Sequence, residues 1–358
     1  MIRSRGSQNG LALFIFAMLL PTTLSQLEWS YPADPLRTVQ DLSQNEDMFG
    51  SALQTRTWFA SGGEGKTSYL DDFTDGIIRH PSNILFAEGN LYVASFTLNH
   101  VVRFSLASRS ERVRYKVFAQ GLDGPSALAF DAASRSLFVA SFGKDRVMHY
   151  STETGALVAT YGTEKLLDCP ESLAIRDGAL YVGSYLQGHV VKIVLETGEA
   201  AVWGRMPLRK EKVDTKPWKK RKKKKHKRRA FFPEESVWCG NNLLVTDFSN
   251  SRILRFNASG EYLGTFAKGK TLGGPVGLIV HHDSVLVASY KRNVVVQFSL
   301  SGKFMGLLAS GGEMKGVSSL TVADDGTLLV ASYEDSRILR HNGSAGTRSS
   351  GESVEHSS

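Results

Sequence analysis

The sequence is poor in cysteine. Its 358 residues contain only Cys169 and Cys239, which excludes a disulfide-rich scaffold. The two could form one disulfide in the secretory pathway, or Cys239, which lies in an apolar run, could be a buried thiol. With 42% hydrophobic and 10% aromatic residues, the chain is nevertheless typical of a globular protein whose core is held by packing.

Several motifs of well-known catalytic and metal sites are also missing. The chain has no G-x-S-x-G, no H-E-x-x-H and no paired C-x-x-C. These absences argue against a nucleophile-elbow hydrolase, a zinc protease of the H-E-x-x-H type and a zinc ribbon. Any chemistry must therefore come from residues that the fold brings together.

Long hydrophobic runs are absent as well. The longest, LALFIFAMLL at 11–20, follows Arg3 and Arg5 and is shorter than the about 20 residues that span a bilayer. A basic start, a short apolar run and then small residues are typical of a secretory signal peptide. We expect a signal peptide at 1–25, an N-terminal extension at 26–67 and a secreted mature chain without a transmembrane segment. An uncleaved anchor is the alternative.

Two tripeptides fit the N-glycosylation acceptor pattern. Asn257-Ala-Ser and Asn342-Gly-Ser each follow an apolar, strand-like run. Both should lie in exposed turns, where an exported protein could carry glycans. The sequence thus predicts a glycoprotein with sites at Asn257 and Asn342.

One short apolar pattern occurs six times. LYVASF at 91 returns as LFVASF at 137, LYVGSY at 180, LLVTDF at 243, VLVASY at 285 and LLVASY at 328. Successive copies are 46, 43, 63, 42 and 43 residues apart. A period in the low forties, made of short β-type runs between Gly, Asp, Asn and Ser turns, is typical of the blades of a β-propeller.

A complete repeat contains four strand-like runs, which we call a to d from the inside of the ring outwards. In the second copy they are SALAF, SLFVASF, RVMHYS and ALVATYG, within 126–162. Strand b is apolar on both faces, so neighbouring blades must cover both of them. Six copies therefore predict an all-β, six-bladed β-propeller over 68–342.

The last copy lacks strand d. It ends in a Gly/Ser-rich tail at 343–358, which we expect to be disordered. A run at 68–74 resembles the d strands of other copies, so we expect this N-terminal strand to complete the last blade and close the ring. RTWFA at 56–60 is the alternative closing strand.

The fourth copy carries a family resemblance. LLVTDFSNSRILRFNASGEYLGTF at 243–266 resembles an NHL repeat in its V-x-D/S-aromatic strand and its N-x-R-I/V start of strand c. The resemblance covers about 68–342 and implies a six-bladed propeller related to the gluconolactonase and regucalcin-like propellers. Such relatives are binding platforms or metal-dependent lactonases, so the fold does not select a function.

The resemblance also implies that the loops leading into the inner strands share one face around a central channel. Their segments are PSN at 81–83, PSA at 125–127, PES at 170–172, PEES at 233–236, PVG at 275–277 and VSS at 317–319. We take Glu171 and Glu235 as the only acids of this ring. Two carboxylates facing one cavity could hold a divalent cation such as calcium, or act as a catalytic acid and base.

Asn83 and Asp247 are further candidates for this metal site. Asn83 offers a neutral oxygen, and Asp247 is the acid in a strand b where other copies carry Ser. Alternatively, these groups bind only water, and Asp247 pairs with Arg252 across strands b and c. The enzyme interpretation is weakened because the lactonase pattern has an acid where this chain has Ser82 and Asn83.

A basic insertion accounts for the one long interval between repeats. Residues 208–230 carry 14 Lys or Arg against Glu211 and Asp214, a net charge of +12, so the rest of a chain of net charge +8 sums to −4. We expect this block to be disordered and to lie on the channel face between blades 3 and 4. Its densest part comprises Lys219, Lys220, Arg221, Lys222, Lys223, Lys224, Lys225, Lys227, Arg228 and Arg229.

Such a segment binds anions through charge. For an exported chain the expected partner is a protein, a sulfated glycan or an anionic membrane surface. Nucleic acid is not expected, because Trp218 alone could stack on bases. Proteolysis after KRR, or no specific partner, are alternatives. The sequence favours a secreted, monomeric binding scaffold, with a metal-dependent hydrolase of lactones or esters at the channel as the alternative.

Overall fold

The computed structural model describes residues 68–69, 76–106, 114–162, 165–207, 231–310 and 314–341. The expected signal peptide at 1–25, the extension at 26–67, the basic insertion at 208–230 and the tail at 343–358 lie outside these residues. The alternative closing strand at 56–60 lies outside them too.

The described residues form 24 strands in six antiparallel sheets. Blade 1 contains β2 (Pro81–Ala87), β3 (Asn90–Ser95), β4 (His100–Ser105) and β5 (Arg114–Ala119). Blade 2 contains β6 (Pro125–Asp131), β7 (Ser136–Ser141), β8 (Arg146–Ser151) and β9 (Leu157–Tyr161). Blade 3 contains β10 (Pro170–Arg176), β11 (Ala179–Ser184), β12 (His189–Val194) and β13 (Ala200–Arg205).

The second half of the chain repeats this arrangement. Blade 4 contains β14 (Pro233–Cys239), β15 (Asn242–Asp247), β16 (Arg252–Asn257) and β17 (Tyr262–Lys268). Blade 5 contains β18 (Pro275–His281), β19 (Ser284–Ser289), β20 (Val294–Ser299) and β21 (Phe304–Ser310). Blade 6 contains β22 (Val317–Val322), β23 (Leu328–Ser332), β24 (Arg337–His341) and β1 (Ser68–Tyr69).

The six sheets stand in a closed ring. The inner strands β2, β6, β10, β14, β18 and β22 contact one another in that order, and β22 contacts β2 again. The fold is therefore the all-β, six-bladed β-propeller that the repeat predicted. In the described part of the chain, helix is limited to single 3-10 turns at Phe142–Lys144, Phe248–Asn250 and Tyr290–Arg292.

The ring is closed by an N-terminal strand, as expected. β1 pairs antiparallel with β24, with Ser68 opposite Arg340 and Tyr69 opposite Leu339. Residues 68–69 of the expected run at 68–74 form this strand, and residues 70–74 lie outside the described residues. The two ends of the propeller thus share blade 6.

The core lies between the blades. Six clusters of buried apolar side chains each join two adjacent blades. In β3, Leu91 and Val93 pack with blade 6, whereas Tyr92 and Ala94 pack with blade 2. This division confirms that strand b is covered on both faces, and burial of a large apolar side chain stabilises the fold by about 1.5–3 kcal/mol. The repeated pattern is apolar at successive positions for this reason.

A β-bulge opens every inner strand. In β2, Pro81 pairs with Ser95 and Asn83 pairs with Ala94, so Ser82 is the extra residue. The same kind of register shift occurs at the start of the other five inner strands. A bulge re-aims the side chains beside it, and here it directs polar residues into one end of the channel.

Candidate functional site at the channel mouth

The channel between the inner strands has two chemically different parts. Towards the ends of the inner strands lies a cavity of about 290 Å³ whose wall is mostly apolar and includes Leu128, Leu173, Trp238 and Leu278. Where the inner strands begin lies a smaller cavity of about 20 Å³, which we call the mouth. The mouth is lined by Ser82, Asn83, Ser126, Glu171, Glu234, Glu235, Val276, Tyr290 and Ser318.

Part of the mouth consists of serines that join neighbouring blades. The hydroxyl of Ser82 donates to the carbonyl of Pro125, that of Ser126 to Pro170 and that of Ser318 to Pro81, each at 2.6 Å. These bonds link blades 6, 1, 2 and 3 in succession. The three hydroxyls therefore stabilise the ring. Because their hydrogen bonds are already made, ligand binding or catalysis at the mouth falls to its acidic side.

The acidic side contains one more carboxylate than expected. Glu171 of blade 3 and Glu235 of blade 4 line the mouth, as the sequence predicted, but Glu234 lines it as well. The statement that Glu171 and Glu235 are the only acids of the ring is therefore wrong. Glu234 and Glu235 stand together opposite Thr246 in the bulge of β14, which lets two consecutive side chains reach the channel.

Glu235 is bonded across the channel. Asn83 Nδ2 donates to Glu235 Oε2 at 2.6 Å, and the backbone N–H of Ser236 donates to Oε1 at 3.0 Å. Asn83 and Glu235 line both cavities, so their bond lies between the mouth and the larger cavity. Burial raises the pKa of Glu235 to about 8, and the two donors oppose this rise.

Glu171 and Glu234 have no comparable donors among the described residues. They are only 5% and 7% exposed, and in the described part of the chain Oε1 of Glu234 is buried without a hydrogen-bond partner. Burial raises the pKa of Glu171 well above its ordinary value, and the nearby charges of Glu234 and Glu235 add to the rise. Burial also raises the pKa of Glu234 to about 8; Asp247 and Glu235 add to this rise, and Lys291 opposes it. Such carboxyl groups can hold protons at neutral pH or accept a cation.

Asp247 is not among the residues that line the mouth. It is fully buried, accepts a hydrogen bond from Arg252 Nε at 2.7 Å, and accepts two from Asn250 Nδ2 at 2.8 and 3.0 Å. The alternative pairing of Asp247 with Arg252 is thus observed, in direct register between β15 and β16. Burial raises the pKa of Asp247, and both partners oppose the rise. Its role as a metal ligand stays a prediction.

The position of Asp247 has a structural role in other blades. There a serine ends strand b and accepts the backbone N–H of a residue 16 to 18 positions earlier. The pairs are Arg79 with Ser95, Asp123 with Ser141, Asp168 with Ser184 and Lys315 with Ser332. Asp247 takes this place in blade 4, where the backbone N–H of Phe232 bonds to it. Its carboxylate therefore replaces a serine hydroxyl that ties the inner loop to strand b.

A ring of aromatic residues surrounds the mouth. One aromatic follows strand b in every blade, and we call the six together the aromatic collar: Phe96, Phe142, Tyr185, Phe248, Tyr290 and Tyr333. Five of them are in successive contact, with ring centroids 6.1–6.5 Å apart from Phe142 through Phe96, Tyr333 and Tyr290 to Phe248. The collar was missed from the sequence, although its signal is the last letter of every LYVASF copy.

A lysine side chain contacts this aromatic collar. Nζ of Lys291 lies 4.6 Å from the centroid of the Phe248 ring, within the range of a cation–π contact. Tyr290, the neighbouring collar residue, lines the mouth itself. The rim of the mouth is thus chemically suited to a positively charged group.

The disulfide considered from the sequence is not formed. Both cysteines are free. Cys169 is buried at the mouth end beside the collar, whereas Cys239 is the last residue of the seven-residue strand β14. The length of such a strand, about 20 Å, separates the two ends of a blade, so one bond cannot join them.

Cys169 also belongs to a cluster with Asp145 and Asp168 whose ligand atoms lie within 4.8 Å of one another. Its backbone N–H donates to Asp145 Oδ1 at 2.8 Å. Gly316 makes the equivalent bond to Asn293 at 2.7 Å, so the contact is a repeated joint between blades. Burial raises the pKa of the Cys169 thiol, which keeps it protonated.

The remaining predicted sites lie far from the mouth or outside the described residues. Asn257 ends β16 in an exposed turn, where its Oδ1 accepts from Ser259 Oγ at 2.7 Å, and its glycosylation stays a prediction. Asn342 and the ten basic residues at 219–229 lie outside the described residues. In the described part, no helix is long and apolar enough to cross a membrane.

Comparison with known proteins identifies relatives in fold only. No family model and no curated protein matches the chain. A catalytically inactive virginiamycin B lyase from Staphylococcus aureus, solved with quinupristin, matches with a TM-score of 0.56 and 13% identity over 77% of this chain and 85% of its own. A streptogramin B lyase matches with a TM-score of 0.54 and 12% identity over 74% and 94% of the two chains.

A protein-binding structure is similar to nearly the same degree. The crystal structure of a nidogen/laminin complex matches with a TM-score of 0.52 and 15% identity over 67% of this chain and 86% of its own. These solved structures are six-bladed propellers, like this chain. A fold shared by lyases and a partner of laminin supports the architecture and leaves the function to the site.

Proposed function

We propose that this protein is a secreted propeller of the NHL type that acts as a binding platform, with the basic segment 208–230 engaging an anionic partner at the mouth face. The observation that carries this proposal is where the segment joins the fold. The chain is described up to Pro207 after β13 and again from Phe231. Phe231 is buried between blades 3 and 4, two residues before Pro233 and the mouth glutamates.

Charge supports the same role. The segment carries +12 and the rest of the chain −4, so positive charge is concentrated in one segment of the chain. A sulfated glycan is the favoured partner for an exported chain, and its binding should weaken with salt because exposed charges are screened over about 8–10 Å. The similarity to the nidogen/laminin complex supports protein binding as a use of this fold.

Affinity chromatography tests the proposal. The parent chain should be retained on heparin and elute with salt, whereas a variant with 208–230 replaced by a neutral Gly/Ser linker of equal length should flow through. The linker keeps the connection between β13 and β14, and circular dichroism should be unchanged. Equal retention of parent and variant would refute a role for the segment.

The buried acids favour a second candidate, the metal-dependent hydrolase of lactones or esters. Ligand atoms of one calcium ion lie 2.3–2.6 Å from it, so they are at most about 5 Å apart. In the described residues, Asp145, Asp168 and Cys169 form the one set of three acidic, cysteine or histidine ligands within 4.8 Å of one another; the three mouth glutamates do not form such a set. The three glutamates alone are therefore not arranged as a complete calcium cage, and calcium stays a prediction. Metal analysis of the purified protein and a lactone panel test this candidate.

A further inference from the structure

The mouth contains three buried glutamates, and one of them has unused hydrogen-bonding capacity in the described part of the chain. Both oxygens of Glu235 have donors, from Asn83 and Ser236. Glu234 lines the mouth and is only 7% exposed. Its Oε1 atom has no hydrogen-bond partner in the described residues. Glu171 lines the same cavity and interacts electrostatically with Glu234. Burying acceptors in this way is costly unless a donor or counter-ion arrives.

The size of the mouth restricts what that donor is. The cavity of about 20 Å³ is about enough for one group of the size of a water molecule. An ammonium group is of this size, whereas a planar guanidinium or a lactone ring is larger. The Asn83–Glu235 bond closes the floor, so a ligand enters from the collar side and stops at the glutamates.

The side chains that line the mouth restrict the charge of the ligand and the chemistry of the chain that carries this charge. Tyr290 of the collar lines the mouth beside Glu234 and Val276, so an entering group passes an aromatic ring and an apolar side chain. Aromatic faces attract an ammonium group and tolerate methylene groups. Lys291 rests on the Phe248 ring of the same collar, which shows that an alkylammonium chain fits this surface.

From these observations we propose that the mouth binds a primary alkylammonium group, whose nitrogen donates to Glu171 and Glu234 while its alkyl stem lies against Tyr290. An ammonium needs only two or three acceptors, so it does not require the compact oxygen cage that the mouth glutamates fail to form. The same chemistry is offered by a free amine and by a lysine side chain of a partner protein. The proposal goes beyond the function proposed above, because it needs neither residues 208–230 nor an anionic partner.

Calorimetric titration of the full chain at pH 9, where Glu234 is ionised because the pH lies above its raised pKa of about 8, tests this inference. The probes are n-butylammonium, Nα-acetyl-lysine amide, tetramethylammonium and calcium, each as its chloride salt. We expect both primary amines to bind, and tetramethylammonium to bind at least about tenfold more weakly because it has no N–H to donate. Tighter binding of acetyl-lysine amide indicates a protein lysine as the source, and tighter binding of butylammonium indicates a free amine.

Variants assign the binding to the two carboxylates. Glu171→Gln and Glu234→Gln should each weaken butylammonium binding by about tenfold or more, whereas Glu199→Gln, at an exposed turn, should not change it. Lys291→Met should strengthen binding because it removes a competing positive charge. Glutamine preserves volume and removes a buried charge, so these proteins should fold, which circular dichroism checks.

Three results would overturn the proposal: no binding of either primary amine, equal binding in the glutamine variants, or calcium binding that depends on Glu171 and Glu234 and excludes the amines. The variant with the Gly/Ser linker in place of 208–230 should bind butylammonium as the parent does. Loss of heparin binding with retention of amine binding therefore separates the outcome of this inference from that of the proposed function.

Discussion

Asn83 and Glu235 meet inside the channel, with Asn83 Nδ2 2.6 Å from Glu235 Oε2. Their strands belong to blades 1 and 4, which are opposite each other in a ring of six. Most bonds between blades join neighbours, as those of Ser82, Ser126 and Ser318 do. The Asn83–Glu235 bond instead spans the ring and forms the floor of the mouth.

Replacement of Asn83 tests this bond. Asn83→Leu removes the donor to Glu235 Oε2, so we expect a loss of about 1–3 kcal/mol in the free energy of unfolding when Glu235 is ionised. Urea denaturation at pH 9 and pH 5.5 measures it. The loss should be smaller at pH 5.5, because a protonated carboxyl needs the donor less. Asn90→Ala, which removes an exposed side-chain bond to the carbonyl of Glu88, is the control, and a loss independent of pH in Asn83→Leu would contradict the interpretation.

Stability should fall as the pH rises through the acidic-to-neutral range. Burial raises the pKa of Glu234 from an ordinary 4.5 to about 8, so between these values the folded chain holds a proton that the unfolded chain has released. Each raised carboxyl then lowers the free energy of unfolding by at most about 1.4 kcal/mol per pH unit within that window, and the loss is complete above it.

Glu234→Gln should flatten this dependence. The variant should be more stable than the parent at pH 8.5 and nearly equal to it at pH 4.5, as measured by thermal unfolding at several pH values. Burial also raises the pKa values of Glu171, Glu235 and Asp247, so part of the slope will remain, and Lys291 opposes the rise at Glu234. Glu199→Gln on the surface should follow the parent, and an unchanged slope in Glu234→Gln would argue against its burial.

Asp247 and its serine counterparts should differ in how much they stabilise the ring. Asp247→Ala leaves Arg252, whose side chain is 13% exposed, without its carboxylate partner, and breaking a buried pair costs about 3–5 kcal/mol. Ser141→Ala removes two neutral hydrogen bonds to the backbone of Asp123 and should cost about 1–2 kcal/mol. Guanidinium denaturation of both variants measures the difference. Similar losses would show that Asp247 is no more than a serine substitute.

Closure of the ring by β1 can be tested by truncation. Removal of residues 1–67 retains β1, whereas removal of 1–75 also deletes its pairing with Arg340 and Leu339. The longer deletion exposes the edge of β24, so we expect a lower melting temperature and aggregation that increases with concentration. Thermal unfolding with light scattering compares the two proteins. Equal behaviour would mean that β1 does not secure blade 6.

The fold could be predicted from the sequence because every repeat of the sequence packs against its neighbours in the same way. Each LYVASF copy is apolar on both faces, and Leu91 and Tyr92 in the structure pack to opposite neighbours. One copy therefore implies a neighbour on each side, and six copies imply a ring. The missing outer strand of the last copy predicted the closure in the same way.

The site was only partly predictable, because the sequence does not show where a β-bulge occurs. Glu234 and Glu235 are consecutive, and simple alternation sends one of them away from the channel; the bulge in β14 brings both to it. The bond between Asn83 and Glu235 depends on how far these two side chains reach across the channel, which the period does not give. The pairing of Asp247 with Arg252, which was the alternative to its role as a metal ligand, is observed because these residues are opposite each other in register.

The pairing of β1 with β24 also has a consequence for biosynthesis. Ser68 leaves the ribosome long before Arg340, so the first-made strand of the propeller has to remain without its partner while five complete blades are translated. Contacts between such distant segments form slowly. During that interval β1 has no partner strand, so blade 6, whose outer strand was made first, is the last blade to be completed.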